Sequence, residues 1–244
     1  MVTVDRSPSP TYPILTYHHI TPSPHRSDRS AISPTGFARH MWLLRRLGYV
    51  GLSLAMALPY LRGERVGRIA ILTFDDSYVD TLEHALPVLL HRGFSATCYA
   101  VSRAIGQVKT WNVASAGSGL LLMSVDQLMW WHQAGMEIGA QTRSHARLTA
   151  CTARQLRNEI AGGRQELQQR LGVAVSQFSY PFGEVNDRIA ATVREAGFAA
   201  AVTARQGRAI VGGDLWQLPR LAVDQPALLP FAAKLLTHHE ERRA

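Results

Sequence analysis

The sequence lacks several features that would place it in a specialised class of protein. No apolar run approaches the ~18 residues that a transmembrane helix needs, so we expect no membrane span. The N-terminal stretch MVTVDRSPSPTYP has no apolar core of the kind found in secretory signals, which favours a cytoplasmic location. The glycine-rich fingerprint of a dinucleotide-binding fold is missing as well.

Lysine and cysteine are also scarce. Only Lys109 and Lys234 are lysines among the 26 basic residues, although the formal net charge is +8. The arginines are scattered and are not interleaved with aromatic residues, so a solvated basic surface is favoured over a nucleic-acid-binding surface. Cys98 and Cys151 lack the spacing of a metal site, and we expect free thiols rather than a disulfide.

Short apolar runs alternate with amphipathic stretches along the whole chain. Seven of these runs are candidate strands: Ile14–His18, Ile69–Thr73, Ser95–Val101, Glu137–Gln141, Gln177–Tyr180, Ala200–Thr203 and Leu218–Leu221. Strands separated by helices pair in parallel, because parallel neighbours need a crossover connection. We therefore predict an α/β fold, a seven-stranded barrel in a single domain over residues 13–236, with flexible ends at 1–12 and 237–244.

Two helix starts and one long loop can also be predicted. Ser124 with Gln127, and Thr152 with Gln155, have the spacing of capping boxes at the beginning of helices. Residues 106–123, here called the rim loop, form a long connection rich in small residues. Long loops of this kind in compact domains are often functional, so we expect the rim loop to cover the site.

Polar residues follow the predicted strands at the points where the strands end. In α/β barrels the side chains just past the carboxyl ends of the strands form the active site. The residues at these ends are His18 and His19, Asp75 and Asp76, the segment 141–145, the segment 179–183, and Arg220. We expect them to surround one site.

The stretch ILTFDDSYVD at residues 71–80 is the most informative of these ends. A single aspartate could cap the following helix, but two adjacent carboxylates repel each other unless a cation or a proton relieves them. Neighbours in extended backbone point to opposite faces, so the strand must break if Asp75 and Asp76 serve one site. The same alternation predicts that His19 points away from His18.

Three motifs resemble those of the polysaccharide deacetylases, the NodB-type carbohydrate esterases. TFDDSYVD is similar to their first motif, Thr-Phe-Asp-Asp-Gly, with Ser77 in place of the glycine. IGAQTRSHARLT resembles the second motif, and FSYPFGEVND resembles the third, an aromatic-Pro-aromatic-Gly turn. The motifs occur in the family's order within residues 12–225. The resemblance implies a deformed (β/α)7 barrel and an N-deacetylase acting on an N-acetylated sugar or polysaccharide.

The resemblance also implies a metal site. Asp75 would be the general base, and Asp76 and His145 would be metal ligands. Gln141 stands where the family has another ligating histidine, and an amide oxygen is a weaker ligand for zinc than an imidazole nitrogen. We expect a divalent cofactor, either zinc bound more weakly than in the family at large or another divalent ion in its place.

Three further residues complete the implied machinery. The N–H of Phe182 in the PFG turn would stabilise the oxyanion. The segment LTYHHI at 15–20 fits members that resemble the poly-N-acetylglucosamine deacetylases and are permuted, which makes His18 the general acid. The arginine that orients the base in many members is Ser179 here, and Arg220 is expected to approach Asp75 instead.

Two other functions remain open. Gln141 and Ser179 depart from the family pattern, so the chain could be a metal-free or altered-metal amidohydrolase of a small C–N substrate. It could also be a non-catalytic carbohydrate-binding descendant. A glycosidase is excluded, because its two carboxylates would stand ~5–10 Å apart across the sugar and no second strand end offers the matching acid. The oligomeric state is not predicted.

Overall fold

A computed structural model describes residues 10–24, 30–111, 119–223 and 227–236 of the chain. The strands are β1 (Thr11–Tyr12), β2 (Ile14–Tyr17), β3 (His19–Ile20), β4 (Ala31–Ile32), β5 (Val50–Leu52), β6 (Ile69–Phe74), β7 (Thr97–Ala100), β8 (Glu137–Ala140), β9 (Gln177–Ser179), β10 (Ala200–Gln206), β11 (Ala209–Ile210) and β12 (Leu218–Ala222). The α-helices are α1 (Pro34–Arg46), α2 (Leu54–Leu61), α3 (Leu86–Arg92), α4 (Val125–Gln133), α5 (Ala153–Leu171), α6 (Asp187–Glu195) and α7 (Leu228–Leu236).

Seven parallel strands close into a barrel. Their order around the barrel is β2, β12, β10, β9, β8, β7 and β6, and β6 pairs with β2 to close it. All seven predicted strands are present, so the predicted (β/α)7 barrel is confirmed. The three-residue strand β5 was not predicted, because it is too short to carry a period; it pairs with the beginning of β6, and β2 pairs with the end.

Strand side chains alternate between two buried clusters. Ile14 and Ile71 belong to the cluster that packs with α2, whereas Leu15 and Leu72 belong to the larger cluster beneath the other helices. Burial on both faces explains why these strands read as continuous apolar runs rather than as alternating ones.

The predicted helix starts are confirmed. Ser124 with Gln127, and Thr152 with Gln155, form complete capping boxes at α4 and α5. Helix α3 is preceded by one π-helical turn, Thr81–Ala85, which the sequence pattern did not predict.

The ends of the chain differ in part from expectation. Thr11 and Tyr12 pair antiparallel with β11, so regular structure begins before the predicted start at residue 13. The predicted tail at 237–244 lies outside the described residues. Cys98 and Cys151 are free thiols, as predicted. In the described part of the chain, no helix combines the length and apolar character that a membrane crossing needs.

Candidate active site

The carboxyl ends of the barrel strands enclose a cavity of about 270 Å³. All seven residues predicted from the sequence line it: His18, Asp75, Asp76, Gln141, His145, Phe182 and Arg220. Lys109 and Trp111 of the rim loop line the cavity too, so the described part of that loop lies over the site as expected.

Asp75 is held by Arg220 in a buried ion pair. Arg220 Nη1 donates to Asp75 Oδ1 at 2.9 Å, and Nη2 donates to Oδ2 at 2.8 Å. The hydroxyl of Ser179 adds a third hydrogen bond to Oδ1 at 3.3 Å. The guanidinium is fixed in turn, because its Nε donates to the carbonyl oxygen of Thr203 at 2.7 Å. Two-point contact sets the orientation of the carboxylate.

Strand β6 ends at Phe74, directly before the two acids, so the extended backbone breaks at this point as predicted. Asp76 and Ser77 both have left-handed backbone, with φ of 69° and 55°. This conformation turns the Asp76 side chain into the cavity that Asp75 also lines. A glycine would adopt it more readily, so Ser77 holds a conformation that costs a side chain some free energy.

Four groups surround the Asp76 carboxylate. Tyr78 donates to Oδ2 at 2.7 Å, and the Lys109 ammonium lies 3.0 Å from the same oxygen. Trp111 Nε1 donates to Oδ1 at 3.3 Å, and His145 Nε2 lies 3.6 Å from it. Burial alone would raise the pKa of Asp76, but the charges of Lys109, His145 and His18 and the Tyr78 hydrogen bond hold that pKa below its usual value.

Gln141 bridges Asp76 and His145. The backbone N–H of Asp76 donates to Gln141 Oε1 at 3.1 Å, which fixes the orientation of the amide because only its oxygen can accept. The NH₂ group of Gln141 therefore faces His145 Nε2 at 3.2 Å. Burial lowers the pKa of His145 against the opposing pull of Asp76 and Asp75.

Aromatic rings enclose His145. The Trp111 ring stacks on it with centroids 4.6 Å apart, and the Phe182 ring meets it edge-on at 4.8 Å. Phe182 itself has left-handed backbone, with φ of 60°. His18 is half-buried at the cavity wall, whereas His19 is buried and contacts Asp80 at 3.3 Å, so the two histidines diverge as predicted.

Lys109 and Trp111 were not predicted as site residues. They lie in a loop with no strand period and are more than 30 positions from Asp76, so neither spacing nor motif connected them to it. The one available signal was the rarity of lysine in a loop that was itself expected to cover the site.

The predicted metal ligands Asp76, His145 and Gln141 come together but do not fit a divalent ion. The only oxygen of the Gln141 side chain accepts from the Asp76 backbone, and its NH₂ group faces the nitrogen of His145 that would bind the metal. Metal-binding histidines almost always donate their other ring N–H to a partner, whereas among the described residues the buried Nδ1 of His145 has none. Lys109 already brings a positive charge to Asp76.

Comparison with known proteins agrees with the fold and the motifs. The chain matches the polysaccharide deacetylase family over residues 62–201. The protein YxkH of Bacillus subtilis (strain 168), which is named for this family, is 25% identical over 213 residues, covering 86% of this chain and 71% of YxkH.

Two solved structures share the barrel. IcaB from Ammonifex degensii superposes with a TM-score of 0.79 at 24% identity, covering 94% of this chain and 99% of IcaB. The Streptococcus pyogenes deacetylase PplD gives 0.77 at 22% identity, covering 91% of this chain and 98% of PplD. With the three motifs in their order on the strand ends, this chain belongs to the polysaccharide deacetylase family, whose members are hydrolases of N-acetylated carbohydrates.

Proposed function

We propose that the protein hydrolyses the acetamido group of an N-acetylated sugar, with Asp75 as general base. One observation carries the proposal: the buried pair of Asp75 and Arg220 stands in a cavity at the strand ends, with His18 and Phe182 on the cavity's wall. The cavity volume of about 270 Å³ lies near the lower end of the range for ligand clefts, which suits one acetamido sugar unit.

The hydrogen bonds of Asp75 leave room for a proton. A carboxylate offers about four acceptor positions. Arg220 and Ser179 occupy two of them on Oδ1, and Arg220 occupies one on Oδ2. The remaining position on Oδ2 is where we place the proton taken from water. Arg220 acts through Asp75 by orienting it, and it is therefore a positioning residue.

The remaining steps require an oxyanion donor and an acid. The oxygen of water bonds to the acetyl carbon while its proton passes to Asp75, and the backbone N–H of Phe182 donates to the developing oxyanion. The C–N bond then breaks as His18 protonates the departing amine. Acetate and the free amino sugar are the products, and the proton that Asp75 holds restores His18 through solvent.

Acetate release from N-acetylglucosamine oligomers tests this function. We expect the wild-type chain to release acetate, and Asp75→Asn to lower kcat by about 10²–10⁴-fold, the usual contribution of a general base. Asp126→Asn is the matched control, because Asp126 is an exposed carboxylate in the first turn of α4. Full activity in Asp75→Asn, or no acetate release from the wild type, would refute the proposal.

A further inference from the structure

We propose that the ammonium of Lys109 is the fixed cation of this active site, in the position where the family uses a divalent metal ion, and that the protein works without one. The inference rests on the proposed function, since it concerns how the same site stabilises the reacting acetyl group. It also makes a claim about metal binding that is independent of activity.

The ammonium of Lys109 contacts the carboxylate of Asp76, the residue predicted to be a metal ligand. Its Nζ lies 3.0 Å from Asp76 Oδ2 and also donates to the hydroxyl of Tyr78. The rings of Tyr78 and Trp111 face the ammonium at 5.2 Å and 5.9 Å from their centroids. Only 11% of the lysine side chain is exposed, so little solvent screens the charge.

The ammonium of Lys109 and a divalent ion would compete for the carboxylate oxygens of Asp76. Metal ions bind carboxylate oxygens at ~2.0–2.2 Å, so an ion on Oδ2 would stand within about 5 Å of the ammonium at 3.0 Å from that oxygen. Two positive centres at that distance in a buried site repel each other strongly. The donors left for an ion are His145 Nε2 and the crowded Asp76, because Gln141 presents its NH₂ group.

The backbone fixes where the ammonium lies. The rim loop is anchored to the turn that carries Asp76: Met123 N donates to Ser77 O at 2.8 Å, and Val79 N donates to Leu121 O at 3.0 Å. Lys109 N donates to Leu120 O at 2.9 Å, so segment 120–123 lies between the turn that carries Asp76 and the segment that carries Lys109. The cation and its carboxylate are thus held by one continuous set of backbone hydrogen bonds.

The ammonium has one donor left for the substrate. It carries three N–H groups, and the contacts with Asp76 and Tyr78 use two of them. Lys109 lines the cavity, so the third N–H can donate to the acetyl oxygen as negative charge develops there. Water adds to the acetyl carbon and the C–N bond breaks as described above, with no change of oxidation state and no co-reactant.

Zinc titration tests the claim without reference to activity. Calorimetry with zinc chloride on chelator-treated protein is expected to show no saturable site in the wild type. The variant Lys109→Ala/Gln141→His removes the competing cation and supplies the imidazole. We expect it to bind one zinc ion per chain, with an affinity at least about 10-fold above any residual zinc binding by the wild type. One tightly bound zinc per wild-type chain would overturn the proposal.

Chemical rescue tests the ammonium itself. Lys109→Ala is expected to lower kcat/KM for acetate release by about 10²–10³-fold, the typical loss of one oxyanion donor. Methylammonium should restore part of that rate, whereas tetramethylammonium, which has the charge but no N–H, should not. Lys234 is the other lysine of the chain, so Lys234→Ala is the control and should keep wild-type kinetics.

The outcomes separate this inference from the proposed function. Wild-type activity that is unchanged in chelator, together with rescue by methylammonium alone, supports both. Activity lost in chelator and restored by zinc overturns the role of Lys109 and leaves the deacetylase standing. A wild type that releases no acetate refutes the deacetylase, and the zinc titration then still decides whether Lys109 excludes the metal.

Discussion

Two consecutive buried acids coexist in this site because each has its own cation. Asp75 pairs with Arg220 from the last barrel strand, and Asp76 pairs with Lys109 from the rim loop. Adjacent carboxylates in a buried site would otherwise raise each other's pKa and share a proton. The left-handed backbone at Asp76 separates the two side chains, so each carboxylate reaches its own cationic partner.

Removing the guanidinium tests the first of these pairs. Arg220→Met leaves Asp75 as a buried charge without its ion-pair partner, and we expect the free energy of unfolding to fall by about 3–5 kcal/mol. Arg220→Met/Asp75→Asn removes both charges, so its loss should be well below the sum of the two single losses. Urea denaturation of the four proteins measures the cycle. Strictly additive losses would mean that the pair is not coupled.

The residues of the site were predictable to different degrees. The acids, His145 and the PFG turn each follow a strand in a family motif, so position in the sequence indicated position in space. Arg220 was expected near Asp75 because Ser179 cannot replace the missing arginine, and the structure brings them together. Lys109 was not predicted as a site residue, because a loop without periodicity gives no indication of where its side chains lie.

At the scale of elements, helix α5 holds the loop that carries His145. Glu159 Oε2 accepts from the backbone N–H groups of Arg143 and Ser144 at 3.1 Å and 3.0 Å. The Arg143 guanidinium donates to Glu166 on the same helix, with Nε at 2.9 Å. The loop has left-handed backbone at Thr142 and at His145, with φ of 66° and 59°. These contacts stabilise a conformation that the loop would not adopt alone.

Two neighbouring glycines of α5 allow a matched test. A Cβ at Gly163 would lie 2.8 Å from the backbone carbon of Thr142, whereas one at Gly162 would lie 3.1 Å from a side-chain carbon of Arg143 that can move. Gly162→Ala should therefore raise the free energy of unfolding by up to about 1 kcal/mol through helix propensity. Gly163→Ala should lower it by about 1–2 kcal/mol and reduce kcat/KM, because the loop must shift.

Equal effects of the two alanines would show that the helix does not set the position of the loop. Urea denaturation gives the first quantity, and acetate release gives the second. Both variants carry the same change of propensity, so the difference between them reports on contact with the loop alone.

The contact between Arg143 and Glu166 gives a pH dependence. The hydrogen bond from Arg143 is the main cause that lowers the pKa of Glu166 from 4.5 to about 2. A carboxyl whose pKa is lower in the folded state contributes stability above its unfolded pKa and loses that contribution as pH falls towards the folded pKa. The pair is partly exposed, so we expect under about 1 kcal/mol in total.

Glu166→Gln is the variant that isolates this contribution. The difference in unfolding free energy between wild type and variant should be constant above about pH 5 and should shrink as pH falls towards about 2. Denaturation across that range measures it. A difference that persists unchanged at low pH would assign the stabilisation to packing rather than to the charge of Glu166.

Elements could be predicted wherever burial imposed a long enough pattern. The seven barrel strands are buried on both faces, and their apolar runs are unmistakable in the sequence. Strand β5 has only three residues, and the π turn before α3 preserves the helical spacing of its apolar residues while changing the hydrogen bonds. Neither feature leaves a signal that hydrophobic periodicity can detect.

At the scale of the whole molecule, closure of the barrel joins strands that are far apart in the sequence. Strand β2 lies between β6 and the last strand, β12, so closure depends on contacts of high sequence separation. Arg208, just before β11, links strand β1 to helix α7. Its Nε and Nη2 donate to Thr11 at 2.9 Å and 3.2 Å, and its Nη1 donates to Leu235 O on α7 at 2.9 Å.

Arg208→Met tests whether this residue secures closure. Arg208 is only 7% exposed, so the variant removes three hydrogen bonds of a buried guanidinium, two to the half-buried Thr11 and one to Leu235 O. We expect the free energy of unfolding to fall by about 2–4 kcal/mol. Arg205→Met is the control, because Arg205 is exposed and donates to Gln217 O at the surface.

Hydrogen exchange locates the effect of Arg208→Met. Amides of α7 and of the β1–β11 pair should lose protection first, while those of β7 and β8 on the far side of the barrel should exchange as in the wild type, because local openings follow the contacts that are lost. Equal loss of protection on both sides would mean that the barrel opens only as a unit.

The active site lies at the strand ends that this closure holds in register, and Arg220, on β12, reaches Asp75 only while β12 stays paired with β2. Acetate release by Arg208→Met should therefore fall at a lower temperature than in Arg205→Met.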